Sequence, residues 1–221
     1  MTSLFICDLD GTLVDSFADI RRSIADALAV IDVEPTSELL DLCRRGIGLE
    51  LFYLRATGRS PDGADFERFV AEYRRSYFHA QGQSRAYEGV GETLAEIRRR
   101  HPDLICAIAT TKRTDMARRV VDSCGLAEFF ELVRGSDGLP HKPDPAILED
   151  IAQHCDRELC AAVMVGDTDR DVLAAKAAGI ISVAVTYGGW TRDELAAIEP
   201  DHMIDRFGEV LSLLSPRAAS R

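Results

Sequence analysis

Residues 8–16 read Asp8-Leu9-Asp10-Gly11-Thr12-Leu13-Val14-Asp15-Ser16, directly after the apolar run Leu4-Phe5-Ile6-Cys7. Two carboxylates stand two apart where a buried strand would end, and a glycine follows at once. Alternate side chains of a strand point the same way. Asp8 and Asp10 therefore aim at one point if the extended geometry persists through Leu9. Like charges that close are costly unless a cation or a proton sits between them. The pair points to a metal-assisted acid/base or nucleophilic site. An EF-hand loop is excluded, because it needs a third acidic residue before its glycine and a glutamate at its end.

In an open parallel sheet, ligands bind beyond the carboxyl ends of the strands. The polar residues just past each apolar run are therefore informative. Thr110, Thr111 and Lys112 come after the run Leu104 to Ala109. Gly135-Ser136-Asp137 comes after Phe129 to Val133 and leads to Lys142-Pro143-Asp144-Pro145. Gly166-Asp167-Thr168-Asp169-Arg170-Asp171 comes after Ala161 to Val165. Asp8, Asp10, Asp167 and Asp171 are hard oxygen donors that suit Mg²⁺. The Thr110 hydroxyl and the Lys142 ammonium suit phosphate oxygens. Asp167 and Thr168 fall at an expected helix N-terminus, which favours nearby negative charge. A carboxylate nucleophile beside a cation and a phosphate-holding lysine points to phosphoryl transfer through an aspartyl-phosphate.

The chain has only three lysines, Lys112, Lys142 and Lys176. Lys112 is expected to face solvent near the site and Lys176 to lie on a helix surface. His141 has no assigned role. Gly188-Gly189-Trp190 reads as a loop after the last long strand, with no chemistry.

The elements that must position these groups alternate. Apolar runs at Leu4–Cys7, Leu104–Ala109, Phe129–Val133, Ala161–Val165 and Ile181–Val185 read as strands buried on both faces. Helix-period segments lie between them. Val90, Leu94 and Ile97 mark one; Met116, Val120 and Cys124 mark another, with Gly125 placed to stop it. Ile147, Leu148 and Ile151 mark a third, after Pro143 and Pro145. Val172 and Ala175 mark a fourth, ended by Gly179. This alternation implies an α/β fold, a Rossmann-like doubly wound parallel sheet. From Ser16 to Ser84 no strand is evident. Ile20, Ile24, Ala27, Leu28 and Ile31 form a helical stripe, and Leu39-Leu40, Leu49–Leu54 and Phe66–Phe78 continue helical between breaks at Pro35, Gly46, Gly48 and Gly58–Gly63. The expected organisation is a discontinuous core of residues 1–15 and 85–221 with an all-helical insert, 16–84.

Composition narrows the class. At 221 residues with 46% hydrophobic content the chain can bury a sizeable core. A net charge of −11 argues against a nucleic-acid surface. No apolar stretch approaches the roughly 20 residues that span a bilayer. Met1-Thr2-Ser3 carries no basic leader, so a cytoplasmic location is expected. Cys7, Cys43, Cys106, Cys124, Cys155 and Cys160 show no metal or redox spacing and read as small hydrophobes in a reducing compartment. The tail from Ser215 to Arg221 is expected to fray.

These motifs together resemble a haloacid-dehalogenase-superfamily hydrolase, close to the phosphoglycolate-phosphatase-like branch. Asp8 through Ser16 matches the first family motif almost letter for letter. Thr110 matches the second, Lys142 the third, and Gly166-Asp167 through Asp171 the fourth. The helical insert matches the family's cap. The resemblance implies that Asp8 attacks phosphorus and that Asp10 serves as general acid, then general base. It implies that Asp8, the Asp10 backbone carbonyl and Asp167 bind Mg²⁺, with Asp171 supporting directly or through water. Thr110, Lys142 and the Thr111 backbone would hold phosphate; Thr111 stands where an asparagine is expected.

The cap is expected to choose the substrate. Arg45, with its neighbour Arg44, could bind a substrate carboxylate or second phosphate, or could be a solvated helix end. The aromatics Phe66, Phe69, Tyr73, Tyr77 and Phe78 read as helix packing. Dehalogenation does not need Asp10, and the absence of lysine before Lys112 argues against a Schiff-base phosphonatase. The expectation is a Mg²⁺-dependent phosphatase acting on a small phosphorylated metabolite, as a monomer or homodimer. A sugar phosphomutase and a non-catalytic phosphate-binding protein stand as alternatives.

Overall fold

A four-residue run with no polar side chain is stable only where both of its faces are covered, and Leu4–Cys7 is fully buried. In the computed structural model, which describes residues 2–79 and 83–214, the chain begins with this strand, β1 (Leu4–Cys7), and then β2 (Val14–Asp15). Four helices follow: α1 (Phe17–Ala29), α2 (Ser37–Asp41), α3 (Leu49–Thr57) and α4 (Ala64–His79). Then come β3 (Arg85–Ala86), α5 (Val90–Arg100), β4 (Ile105–Ala109), α6 (Thr114–Ser123) and β5 (Leu132–Arg134). The remainder is α7 (Ala146–His154), β6 (Ala162–Gly166), α8 (Asp169–Ala178), β7 (Ile181–Val185), α9 (Arg192–Ala196), β8 (His202–Ile204) and α10 (Val210–Leu214).

Six strands form one parallel sheet in the order β5-β4-β1-β6-β7-β8. The chain runs outward from β1 through β4 to β5, then returns to β6 and runs outward the other way. That reversal makes the carboxyl ends of β1 and β6 the topological switch point, where ligands of such sheets bind. The register sharpens this. Cys7 lies opposite Ile108 of β4 and Val165 of β6, so Asp8, Thr110 and Asp167 all leave the sheet at one edge.

Successive residues of β1 serve opposite faces. Leu4 and Ile6 join Ala107, Ala109 and Met164 against Ile147, Leu148 and Ile151 of α7 and Ala174 and Ala175 of α8. Phe5 meets the Phe207 ring edge-on, with centroids 6.3 Å apart. Burying side chains of this size stabilises the sheet by about 1.5–3 kcal/mol each, which is why its strands read as unbroken apolar runs. Gly125 and Gly179, expected as helix stops, take the left-handed conformation after α6 and α8.

Three details differ from the sequence reading. The run Phe129–Val133 is not a strand throughout: Ala127–Phe129 is a turn of 3₁₀ helix and pairing begins only at Leu132. The strand read as Ala161–Val165 sits one residue later, after a 3₁₀ turn at Leu159–Ala161. The edge strand β8 gives no sequence signal, because three residues beginning with a histidine make no apolar run. Of the cysteines, Cys7 and Cys106 are buried, Cys43, Cys124 and Cys155 are half-buried and Cys160 is exposed; all are free thiols.

The chain forms two compact units, residues 1–14 with 86–221 and residues 15–85. In the second unit every described element between β2 and β3 is helical. Its α1 packs along α4, burying Ile20, Ile24, Ala27 and Leu28. Phe69 of α4 stacks with Phe52 of α3 at 6.4 Å and meets Tyr53 at 5.6 Å. These aromatics are core, as their helical spacing implied, although Phe78 stays exposed. The Asp19 carboxylate of α1 accepts hydrogen bonds from the Ser84 backbone N–H and hydroxyl at 2.9 and 2.7 Å. The residues of the tail expected to fray, 215–221, lie outside the described ones.

Candidate active site

The Asp8 side chain leaves the end of β1 and meets Lys142. The Lys142 ammonium donates to Asp8 Oδ1 at 2.8 Å, to the Ala109 carbonyl oxygen at 2.9 Å and to Asp171 Oδ1 at 2.5 Å. Lysine is almost never fully buried unless paired; Lys142 is buried and has all three of its donors used. Burial works against its charged form, but Asp171 and Asp8 outweigh that and hold its pKa above the ordinary lysine value. The Arg170 guanidinium donates to the Lys142 carbonyl oxygen at 2.9 Å, tying the loop to the start of α8.

Asp171 is the third residue of α8 and works in two directions. One oxygen faces Lys142. The other accepts from the Thr168 backbone N–H at 3.1 Å and the Thr168 hydroxyl at 2.7 Å, an acidic residue of a helix's first turn reaching back to the N-cap. Asp167, the residue directly after β6, is fully buried. Its carboxylate accepts from the Thr12 hydroxyl at 3.0 Å and from the Gly189 backbone N–H at 2.6 Å.

Asp8, Asp167 and Asp171 each bring a carboxylate oxygen within 4.8 Å of the others. One buried ammonium does not balance three buried carboxylates. Burial, opposed by Lys142 and assisted by Asp171, pushes the Asp8 carboxyl up to about 7. Burial and then Asp8 and Asp171 push Asp167 well above the usual carboxylate range. A cluster of hard oxygen donors short of positive charge is what a divalent cation requires, so the residues present fit one.

Packing leaves no slack around Asp167. Gly11 has φ of +87°, a conformation that side chains other than glycine's rarely adopt, and a Cβ there would stand 2.2 Å from Asp167 Oδ2. A Cβ on Gly188 would stand 2.3 Å from Asp167 Cβ and 2.4 Å from the Gly11 carbonyl oxygen. Tyr187 adds a third tie, its hydroxyl donating to the Thr12 carbonyl oxygen at 2.8 Å. Burial raises the Tyr187 pKa far above the ordinary tyrosine value, so the hydroxyl keeps its proton and donates. The loop Gly188-Gly189-Trp190, expected to carry no chemistry, thus supplies through Gly189 a donor to a buried carboxylate. The only signal in the sequence was the Gly-Gly pair after β7.

Asp10 takes a different lysine from Asp8. The strand ends at Cys7, Leu9 turns into the core, and the Asp10 carboxylate lies 3.2 Å from the Lys112 ammonium. The Asp10 carboxylate is thus not one of the three that gather at Asp8, Asp167 and Asp171. Lys112 corrects the expectation that it faces solvent: its side chain is only 5% exposed. Thr110 is buried beside it, its N–H donating to the Arg134 carbonyl oxygen at 3.1 Å and its hydroxyl accepting from the Lys112 N–H at 3.2 Å. The Thr111 carbonyl oxygen accepts from the Ser136 hydroxyl at 2.7 Å. Arg45 belongs to the other unit, half-buried at the end of the 3₁₀ helix Leu42–Arg45. Arg44, next to it, lies 4.4 Å over the Phe17 ring. His141 is exposed, and Lys176 is exposed with its ammonium donating to the Ile198 carbonyl oxygen at 2.6 Å.

Comparison with known proteins finds relatives over nearly the whole chain. A family model described as haloacid dehalogenase-like hydrolase matches residues 5–185. A relative named phosphoglycolate phosphatase from Agrobacterium fabrum is 30% identical, covering 100% of this chain and 96% of that one. A second of that name, from Vibrio cholerae, is 32% identical over 96% of each chain. Among solved structures, a predicted phosphoglycolate phosphatase from Haemophilus somnus 129pt superposes with a TM-score of 0.86 at 28% identity, covering 97% of this chain and 98% of that one. Among the described residues no helix is long and apolar enough to cross a membrane.

Proposed function

The chain belongs to the haloacid dehalogenase-like hydrolases, and on that footing we propose that it hydrolyses a small phosphomonoester through a phosphoryl group carried on Asp8. The observation that carries this reading is the Asp8 carboxylate held by Lys142 within a buried triad of carboxylates at the sheet's switch point.

The chemistry divides among the chain's own residues. A carboxylate oxygen of Asp8 attacks phosphorus, the bond from phosphorus to the ester oxygen breaks, and an aspartyl-phosphate forms. Asp10 gives the departing oxygen its proton, a role that typically contributes about 10²–10⁴-fold in rate. Asp10 then takes a proton from water as the water oxygen attacks phosphorus, releasing inorganic phosphate and restoring Asp8. Lys142, the Thr110 hydroxyl and the Thr111 backbone hold phosphate oxygens. The buried lysine also repays part of the cost of bringing an anionic ester against an anionic nucleophile.

The cation proposed is Mg²⁺, held by Asp8, Asp167 and the Asp10 backbone carbonyl, with Asp171 in support. It would supply the positive charge that draws a phosphate dianion towards a carboxylate. Arg45 is proposed as a substrate contact, suited to a substrate carboxylate or second phosphate. Relatives named phosphoglycolate phosphatase make a phosphorylated small acid the first candidate substrate. We place the enzyme in the cytoplasm, acting as a monomer or homodimer.

A screen of about a hundred phosphorylated metabolites, read by phosphate release with Mg²⁺ and with a chelator, tests the reading. Turnover of at least one monoester, abolished by the chelator and by Asp8→Asn, is expected. Turnover that survives Asp8→Asn would refute it.

A further inference from the structure

Lys112 has no part in the scheme above, yet it is a buried ammonium beside the residue that handles protons. Its side chain is 5% exposed and lies 3.2 Å from Asp10, whose own side chain is 16% exposed. Withdrawing an ammonium from water is costly unless an opposite charge meets it. The Asp10 carboxylate supplies such a charge.

The loop that carries Lys112 is fixed from several sides. Its backbone N–H donates to the Thr110 hydroxyl oxygen at 3.2 Å, and its carbonyl oxygen accepts from the Ser136 N–H at 3.2 Å. The Thr114 N–H donates to Asp137 at 2.6 Å, and the Gly135 N–H donates to the Thr114 hydroxyl oxygen at 2.9 Å. A Cβ on Gly135 would stand 2.4 Å from the Lys112 carbonyl oxygen and 2.3 Å from the Thr114 nitrogen. The β5 loop is thus pressed against the β4 loop, and the Lys112 stem starts from a rigid backbone.

Asp10 needs such an anchor. It stands two residues from Asp8 and near a triad of carboxylates, whose negative charge repels its own. A short carboxylate left to that field turns towards water. Proton transfer to a leaving oxygen requires the acid within hydrogen-bond reach and aligned, and a misplacement of about 1 Å can cost about 10²-fold.

We infer that Lys112 is a positioning residue, holding the Asp10 carboxylate at the place from which it gives its proton to the leaving oxygen. The inference rests on the proposed role of Asp10. It separates the two lysines: Lys142 serves the nucleophile and Lys112 serves the acid.

The test compares kcat/KM on three monoesters, because that ratio reads only the steps up to departure of the leaving group. p-Nitrophenyl phosphate releases a stable anion and needs little protonation. Ethyl phosphate releases a poor, uncharged leaving group. 2-Phosphoglycolate releases a poor leaving group that carries a carboxylate. Lys112→Met should lower kcat/KM by about 10–100-fold on both alkyl esters and by less than about 3-fold on the aryl ester. Lys112→Gln, which keeps an uncharged donor, should lose less. Lys112→Met added to Asp10→Asn should cost less than about 3-fold more than Asp10→Asn alone, since the first acts through the second.

An equal loss on all three esters would overturn the inference, as would full multiplication with Asp10→Asn. A loss confined to 2-phosphoglycolate would overturn it too, assigning Lys112 to the substrate's carboxylate. Wild-type enzyme inert on all three would overturn the phosphatase reading and this inference with it; an active wild type with a uniform loss overturns this inference alone.

Discussion

Asp8 and Lys142 meet at 2.8 Å with both side chains withdrawn from water, although 134 residues separate them in the chain. The same ammonium also serves Asp171. Removing it leaves two buried carboxylates without their shared cation, and breaking a buried pair from one side typically costs about 3–5 kcal/mol. Lys142→Met should therefore lose stability as well as phosphate binding. In chelator at neutral pH its melting temperature is expected to fall well below wild type. A divalent cation should restore part of that loss, and an unchanged melting temperature would show that Lys142 contributes little to the fold.

Metal-free protein should be most stable on the acid side. The Asp8 carboxyl is pushed up from 3.8 to about 7 by burial, with Lys142 opposing. The folded protein then holds a proton that the unfolded chain has already released, so stability falls as pH climbs through that window. Asp167, raised by burial and by Asp8, adds in the same direction. Denaturant unfolding in chelator is expected to show a midpoint that declines from pH 5 to about pH 7.5. Asp8→Asn should flatten the slope. Mg²⁺ should stabilise most at the upper end, where the carboxylates are charged.

Gly188→Ala should weaken cation binding more than it weakens the fold. The new methyl group would press on Asp167 and on the Gly11 carbonyl oxygen, and overpacking of this kind costs about 1–3 kcal/mol. Displacing Asp167 also strains the hydrogen bond from the Gly189 N–H. The Mg²⁺ concentration for half-maximal phosphate release is expected to rise at least about tenfold, as about 1.4 kcal/mol would give. An unchanged value would mean that the loop after β7 has room to yield.

Legibility in the sequence depends on distance along the chain. Asp8 and Asp10 were readable because a strand end, two carboxylates and a glycine turn are contiguous, and Thr110 and Asp167 because each comes just after its own apolar run. Lys112 was not. Its backbone carbonyl is held by Ser136 and packed against Gly135, and its ammonium meets Asp10, contacts made by folding rather than by spacing. The Gly189 donor was hidden for the same reason, being 22 residues from Asp167. The misplaced start of β5 has a local cause. Phe129 and Phe130 are as apolar as a strand requires, but the chain leaving α6 at Gly125 uses Ala127–Phe129 to turn before pairing can begin.

The central step of the proposed reaction is the attachment of a phosphoryl group to Asp8. Asp10→Asn protein incubated with p-nitrophenyl phosphate and Mg²⁺ isolates that step, because this leaving group needs no acid while release of the phosphoryl group from Asp8 needs a base. Acid quenching, digestion and mass measurement of the peptide that contains Asp8 should reveal the added mass of one phosphoryl group, localised to Asp8 and absent in Asp8→Asn. A rapid release of p-nitrophenol with no modified peptide, or a phosphoryl group found on any other residue, would contradict the account.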